Sequence, residues 1–434
     1  MRFSPHERNE RITNQEPRFG FLSDVMATVH IILTGRPDAH NDNCHRDRRM
    51  LPTCFTINRR RLLDTAVRLI EVPSRTGEAR GVLDCLADIL RADGFTVARP
   101  TGGYAAAPAV AVRFDSNKPG RTLQFNGHLD TVHLPFVPPL VEGDLLKGSG
   151  SADMKAGTAA AVEAMRALRD TNALPAGSIL LTAHDLHETP WGDGSQLNQL
   201  IKDGFVGDAV LLPEYLNECL PVIGRGGLVW KAAVRRSGPP VHEVMRPAEP
   251  SVIAAAAELV GRLVRLDQEV SARRDPLAGP ESVFIGQIHA GEIFNQYPHE
   301  CRLEGTRRWL PGTRREDVEA ELRELFQATA RDTGTAVEPQ LILMRDAFFL
   351  DQQDPFVGAF RQSYKEVVGS ELPIGAKPFC DDGNSFWALA HRPAITHGPR
   401  AGGAHTLNEW VSIDDLERVA RLYAAIAVSY CVSP

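Results

Sequence analysis

The stretch from Leu123 to Lys155 constrains this chain most, because it places a histidine and two aspartates beside glycine-rich backbone. A short apolar run predicts a strand that leads into His128. Residues i and i+2 of a strand share a face, so His128 and Asp130 point to the same side. A carboxylate beside an imidazole is the arrangement that holds a metal-ligating histidine. Asp153 follows a Gly/Ser-rich turn and precedes a helix-favouring run, so we expect a functional site here rather than core.

Composition restricts the class of protein. A length of 434 residues favours two domains. The net charge of −7, with scattered lysines and arginines, offers no basic stripe for nucleic acid. The apolar run 21–33 is too short and too polar to span a membrane. The seven widely spaced cysteines include no CxxC pair and favour free thiols in a reducing compartment. We therefore expect a cytoplasmic protein that binds neither nucleic acid nor membrane.

Alternating helix-like and strand-like segments predict an α/β fold with a mostly parallel sheet flanked by helices. In such sheets ligands bind beyond the carboxyl ends of the strands. Near Gly226 the pattern changes to that of a small inserted α+β domain. The predicted divisions are an N-terminal extension at 1–49 (a disordered tail or a misassigned start), a catalytic domain at 50–226 and 343–434, and the inserted domain at 227–342.

Five candidate metal ligands lie at the ends of predicted elements: His128, Asp153, Glu188, Glu214 and His405. Singly, each has an ordinary explanation; Asp153, for example, suits a helix cap. Together, three carboxylates and two imidazoles at the strand ends of one sheet indicate a dinuclear site, with one bridging carboxylate and a metal-bound water as nucleophile. Because no cysteine is among them, the donor set favours zinc, with cobalt and manganese as alternatives. The sequence contains neither a GxSxG nucleophile elbow nor a GxxxxGK(S/T) phosphate-binding loop, which would have indicated another mechanism.

Four motifs in the same order resemble the dinuclear zinc amidohydrolases and exopeptidases. This family includes acetylornithine deacetylase, succinyl-diaminopimelate desuccinylase, aminoacylases and glutamate carboxypeptidase. The likeness extends from about Arg60 to Val432. The motifs are GHLDTV at 127–132, GSGSADMKAG at 148–157, the strand ending in glutamate at 208–214, and AHTLNE at 404–409.

The resemblance implies roles for individual residues. Asp153 bridges the two ions, His128 and Glu214 hold one of them, and Glu188 and His405 hold the other. Asp130 orients His128.

The inserted domain is similar to the lid and dimerisation domain of the family. There, the resemblance implies that His242 stabilises the oxyanion, often from the partner subunit of a homodimer. Asn295 and Arg308 match positions that are candidates for holding a substrate carboxylate, for which an arginine fork is well shaped.

One departure concerns proton transfer. The family usually carries two adjacent glutamates after the third strand, the first a general base and the second a ligand, whereas this chain has His187 and Glu188. Two assignments stay open: His187 as base with Glu188 as ligand, or the reverse. Participation of His184 or Asp185, and loss of hydrolysis, are further alternatives.

The resemblance implies a metal-dependent hydrolase of amide bonds, most directly an N-acyl-amino-acid deacylase. A dipeptidase or carboxypeptidase-type exopeptidase acting on a short peptide is the first alternative. A non-catalytic binding homologue is the second, and the missing Glu-Glu pair is its only support.

Overall fold

The computed structural model describes residues 55–432. The extension predicted for residues 1–49 lies outside the described residues. The helices are α1 Arg59–Ile70, α2 Arg80–Ala92, α3 Lys155–Asp170, α4 Ser195–Lys202, α5 Val252–Val270, α6 Arg315–Thr333, α7 Pro355–Val368, α8 Asp382–Ala390 and α9 Ile413–Tyr430. Within the described range, no helix combines the length and the apolar character needed to cross a membrane.

The strands are short in the first half of the chain and longer in the inserted region. They are β1 Val97–Ala98, β2 Val110–Asp115, β3 Thr122–His128, β4 Leu140–Glu142, β5 Leu145–Lys147, β6 Ser178–His184, β7 Ala209–Leu212, β8 Leu220–Gly224, β9 Gly226–Arg235, β10 Val241–His242, β11 Arg274–Asp275, β12 Gly279–Pro280, β13 Ser282–Ala290, β14 Gln296–Tyr297, β15 Glu300–Trp309, β16 Ala336–Arg345, β17 Phe348–Phe349, β18 Ile374–Lys377, β19 Ala394–Thr396, β20 Ala401–Gly402 and β21 Trp410–Ser412.

A six-stranded sheet with the order β1-β2-β6-β3-β7-β19 carries the strand ends that were predicted to form the site. The pairs β3–β6, β3–β7 and β7–β19 are parallel, whereas β1–β2 and β2–β6 are antiparallel. Every residue of β6 and β7 is buried, as in strands covered on both faces. The predicted α/β class with a mostly parallel sheet is confirmed.

Helix α3 lies against this sheet and sets the position of Asp153, which precedes it by two residues. Its sequence, KAGTAAAVEAMRALRD, is rich in alanine, the residue with the highest helix propensity. All its residues from Lys155 to Leu168 are buried, and it packs against β3, α1 and α9. The small side chains allow this helix to be enclosed on all sides, which fixes its N-terminal end.

A second, four-stranded antiparallel sheet has the order β13-β15-β9-β16 and carries α5 and α6. Its hydrophobic core, built around Trp230, Trp309 and Phe326, is separate from the core of the larger sheet. This sheet and its helices, called the inserted unit below, lie in the region for which the sequence predicts an inserted α+β domain. Its last strand, β16, ends at Arg345, beyond the predicted limit at residue 342.

Several elements differ from the prediction. Helix α8 was not predicted, because it begins with Asp382, Gly383 and Asn384, which have low helix propensity. A capping box between Asp381 and Asn384 stabilises its first turn instead. The sequence predicts a strand over 178–183 and a loop from His184 onward, but in the structure His184 is the last residue of β6.

His397 provides a test of core electrostatics. It is fully buried beside the rings of Phe360 and Tyr364, and neither of its ring nitrogens has a hydrogen-bond partner among residues 55–432. Burial, with a smaller effect of Arg418, lowers the pKa of His397 to about 3. Because an unfolded histidine titrates near pH 6.5, the stability contributed by the neutral imidazole is present above about pH 6.5 and is lost as the pH falls toward 3.

We therefore expect His397→Leu to flatten the dependence of stability on pH between about 6.5 and 4. The difference in slope should approach about 1.4 kcal/mol per pH unit, the linkage limit for one proton. Urea unfolding at several pH values measures the free energy of unfolding of both proteins. Parallel curves for wild type and variant would contradict the expected shift.

Candidate active site

Three parallel strands bring the polar residues to one edge of the sheet. His128 is the last residue of β3 and pairs in register with His184, the last residue of β6. Glu188 follows β6 by four residues, and Glu214 follows β7 by two. Because the carboxyl ends of parallel strands meet at one edge of a sheet, these side chains converge there.

The remaining two predicted ligands come from a helix start and a late loop. The Nε2 of His128 lies 3.0 Å from Oδ1 of Asp153. The other oxygen of Asp153, Oδ2, lies 3.3 Å from Nε2 of His405, and that nitrogen is 3.2 Å from Oε2 of Glu188. Asp153 thus stands between two histidines, one toward each of its oxygens.

Glu214 completes the group. Ligand atoms of His128, His187 and Glu214 lie within 4.8 Å of one another, as do those of His128, Asp153 and Glu188. Asp153, Glu188, Glu214 and His405 also line a cleft of about 150 Å³. The structure therefore brings together all five residues predicted as metal ligands.

The electrostatics of the cleft suit a bound cation. Burial, together with the charges of Asp381 and Asp153, raises the pKa of Glu214 well above its usual value. The Oε1 of Glu214 is buried and has no hydrogen-bond partner in the described part of the chain. Hydrogen bonds to Asp153 and Glu188 raise the pKa of His405 to about 10. The cluster thus offers carboxylate oxygens and imidazole nitrogens, which are the ligand atoms that divalent ions such as zinc bind in proteins.

Asp130 supports two parts of the site. The Nδ1 of His128 lies 3.1 Å from the backbone carbonyl oxygen of Asp130 and 3.6 Å from the carboxylate Oδ1 of Asp130. The other carboxylate oxygen accepts hydrogen bonds from the backbone N–H groups of His187 and Glu188, at 3.0 and 3.1 Å. Besides its predicted place beside His128, Asp130 therefore holds the loop that carries the variant His-Glu pair.

Asp382, which the sequence did not single out, lies behind that pair. Its Oδ1 is 2.8 Å from Nδ1 of His187, and its Oδ2 is 2.8 Å from Nε2 of His184. Arg345 donates to Oδ1 at 3.3 Å. The only sequence signal was a pair of aspartates before a glycine in a segment without clear periodicity.

The other residues of the 184–188 segment face away from the cleft. His184 is fully buried against Asp382. The Asp185 carboxylate accepts hydrogen bonds from the backbone N–H groups of Gly77 and Ala79. These contacts give both residues structural partners, and neither is among the described residues that line the cleft.

Glu409, the last residue of the AHTLNE motif, holds the loop of Asp153. Its carboxylate accepts hydrogen bonds from the backbone N–H groups of Gly150, Ala152 and Asp153, at 2.8, 2.9 and 2.8 Å. The contact joins two segments that are about 260 residues apart. Sequence reasoning found both segments but not this contact.

Residues of the inserted unit divide into two groups. Arg308 lines the cleft, where its Nη1 lies 3.1 Å from Sγ of Cys380. His242 and Asn295 lie together, with Nε2 of His242 at 3.1 Å from Nδ2 of Asn295. His242 is exposed, and neither of the two is among the described residues that line the cleft. The structure of the single chain thus brings Arg308, but not His242 or Asn295, to the ligand cluster.

Convergent carboxylates and imidazoles at the edge of a sheet, beside a cleft that also holds an arginine, define a metallohydrolase. The chain belongs to peptidase family M20/M25/M40, whose model matches residues 124–429. The resemblance found in the sequence is therefore confirmed, and the protein is a hydrolase of amide bonds.

Individual relatives agree with this family. A succinyl-diaminopimelate desuccinylase of Methylobacterium radiotolerans is 28% identical over 395 residues, covering 85% of this chain and 97% of the relative. The crystal structure of aminopeptidase PepT from Bacillus cereus matches with a TM-score of 0.71 at 20% identity, covering 86% of this chain and 99% of that one. The YXEP protein of Bacillus subtilis, a dinuclear metal-binding peptidase, matches with a TM-score of 0.61 at 14% identity, covering 85% and 97%.

Proposed function

We propose that the protein is an N-acyl-amino-acid deacylase that uses two divalent metal ions, with zinc favoured over cobalt and manganese. The observation that carries the proposal is the placement of Asp153, whose two oxygens face His128 and His405 separately. His128 and Glu214 would hold one ion, Glu188 and His405 the other, and Asp153 both. When bound, such ions polarise an amide carbonyl and lower the pKa of water.

The substrate we propose carries a free carboxylate close to the scissile amide. The guanidinium of Arg308 lies in the cleft. Among the described side chains, its Nη1 donates a hydrogen bond only to the sulfur of Cys380, which is a weak acceptor. A guanidinium pairs well with a carboxylate through two parallel hydrogen bonds. The rings of Tyr215 and Phe379 pack against each other at an angle in the same cleft, with centroids 5.5 Å apart, and offer an apolar wall.

An exopeptidase is the second candidate. Its support is the fold, which the chain shares with aminopeptidase PepT, while the desuccinylase relative supports the deacylase. Hydrolysis of a dipeptide or of a C-terminal residue, like deacylation of an N-acyl amino acid, cleaves an amide next to a residue with a free carboxylate, so the same ligand cluster serves either. In both cases His187 or Glu188 takes a proton from water and passes it to the leaving amine.

Metal removal tests the proposal. We expect the chelator-dialysed protein to lose amide hydrolysis, and zinc, cobalt or manganese to restore it at up to two equivalents per chain, because the cluster needs cations to bind a carbonyl. Elemental analysis gives the metal content. A panel of N-acyl amino acids, dipeptides and carboxyl-blocked analogues gives the substrate class. Undiminished hydrolysis after complete metal removal would contradict the mechanism, and preference for blocked analogues would contradict the role of Arg308.

We propose a homodimer that forms through the inserted unit. Strand β13 lies at an edge of its sheet, where backbone groups are unpaired, and it exposes Phe284 and Ile288 by 62% and 51%. Phe294 is 98% exposed nearby in sequence, next to Asn295. Exposed apolar side chains beside an open strand edge favour pairing with another chain. His242, which lies outside the cleft of its own chain, would act from the partner subunit.

The double variant Phe284→Glu with Ile288→Glu is expected to be monomeric, because it places charges on the pairing edge. Light scattering coupled to size-exclusion chromatography measures the mass. Leu140→Glu, which changes an equally exposed (51%) residue of β4, serves as the control and should keep the mass of wild type. Equal masses for all three proteins would contradict dimerisation through β13.

We also propose a cytoplasmic location. Cys85, Cys219, Cys301, Cys380 and Cys431 are free thiols in the described part of the chain. Free thiols are typical of proteins in a reducing compartment.

A further inference from the structure

The carboxylate of Asp382 is a fixed point behind the site. It is fully buried at the start of α8. Its two oxygens accept hydrogen bonds from the side chains of His187, His184 and Arg345, and from Nδ2 of Asn126 at 3.0 Å. A buried carboxylate with this many donors cannot turn without leaving several of them unpaired. The group that faces His187 is therefore held in one orientation.

This contact decides which nitrogen of His187 is free. An ionised carboxylate only accepts hydrogen bonds, so Nδ1 of His187, at 2.8 Å, must carry the proton. The lone pair of the neutral ring is then on Nε2. His187 lines the cleft, and Asp382 lies behind the ring, so that the lone pair is available on the cleft side.

The stacking of the His187 ring on the His128 ring indicates which residues bind a metal ion and which one acts as the base. The rings of His187 and His128 are parallel within 2°, with centroids 3.8 Å apart. An imidazole binds a metal ion in its own ring plane, and an ion in the plane of one stacked ring lies outside the plane of the other. The proximity of His128, His187 and Glu214 therefore does not make both imidazoles good ligands of one ion. Glu188, in contrast, is buried and lies 3.2 Å from the ligand His405.

Building on the proposed function, we propose that His187 is the general base, that Glu188 is a metal ligand, and that Asp382 is the residue that positions His187. Nε2 of His187 removes a proton from water while the water oxygen bonds to the carbonyl carbon. As the C–N bond breaks, the same proton passes to the leaving nitrogen. Amide and water thus become a carboxylic acid and an amine, with no other reactant.

Metal content and kinetics separate the two assignments. We expect His187→Gln to keep the metal content of wild type and to lose about 10²–10⁴-fold in kcat with little change in KM. Asp382→Asn should keep the metal and lose roughly 10–100-fold in kcat, the effect of losing a supporting carboxylate. Glu188→Gln should lose about one metal equivalent. Loss of metal from His187→Gln with full metal in Glu188→Gln would reverse the assignment, and unchanged kcat in Asp382→Asn would overturn the role of Asp382.

A second measurement needs neither metal nor substrate. In the metal-free protein, the Nδ1–H of His187 should give a downfield imidazole proton resonance in NMR spectra. This resonance should vanish in His187→Gln and persist in His184→Gln, which removes the other histidine on Asp382. Absence of a resonance that depends on His187 would overturn the dyad even if Asp382→Asn does not fold. A wild type that shows the resonance but cleaves no amide of the panel would instead contradict the proposed function alone.

Discussion

Replacing Asp153 with asparagine is expected to abolish amide hydrolysis and to lower the metal content below two equivalents. The substitution keeps the shape of the side chain, but it removes a negative charge and turns one oxygen into an NH₂ group. That group would face either His128 or His405, each within 3.3 Å of an Asp153 oxygen. Because we propose that Asp153 holds both ions, the loss should exceed the roughly 10–100-fold caused by removing a supporting residue.

Elemental analysis and kcat/KM on the best substrate of the panel measure this effect. Asp88→Asn, which changes an exposed aspartate of α2, is the matched control and should behave as wild type. Circular dichroism shows whether both variants are folded. A folded Asp153→Asn protein with two metal equivalents and more than a tenth of wild-type activity would contradict the bridging role.

Gly157→Ala is the second change with a large expected effect. A Cβ at this position would lie 1.8 Å from the carbonyl oxygen of Pro213, a backbone atom that cannot move aside alone. Helix α3 follows Asp153, and Pro213 precedes Glu214, so relief of the clash must separate two segments of the ligand cluster. We expect a destabilisation of about 1–3 kcal/mol or more, as in overpacked cores, together with a fall in activity and metal content.

Gly358→Ala provides the control within another helix. Gly358 lies in α7, and a Cβ there meets no atom within 4 Å. Alanine is favoured over glycine inside a helix, so this variant should be about 0.5–1 kcal/mol more stable than wild type and equally active. Thermal unfolding and hydrolysis assays of both variants give the comparison. A Gly157→Ala protein as stable and active as wild type would show that α3 can shift without cost to the site.

The sequence predicted those features that depend on local pattern. Apolar runs followed by polar residues placed His128, Glu188 and Glu214 at strand ends, and parallel strands end at one edge, so the convergence followed from the fold class. His405 was a candidate because it lies in a glycine-rich loop after a predicted strand, and the AHTLNE motif then matched the family. The sequence predicts a helix over 355–368, which agrees with α7 at Pro355–Val368, because amphipathic periods are strong in long segments.

Features that depend on contacts between distant segments could not be predicted in this way. Nothing in the local sequence indicates that Asp382 faces His187, 195 residues earlier. The contact of Glu409 could not be predicted either, because its carboxylate accepts hydrogen bonds from backbone N–H groups and not from a side chain that the sequence would reveal. Helix α8 was missed because its first residues favour turns, and only burial and the capping box make them helical.

The place of His405 and Glu409 in the chain has a consequence for biosynthesis. A ribosome adds residues from the N-terminus at about 5–20 per second, and domains generally fold as they emerge. Four of the proposed ligands, His128, Asp153, Glu188 and Glu214, are synthesised before the inserted unit. His405, the fifth, and Glu409, which holds the loop of Asp153, are synthesised after it. The cation site that we propose therefore cannot be assembled until the inserted unit and the loop that carries His405 have both left the exit tunnel, so metal would be bound only after the two sheets have been synthesised.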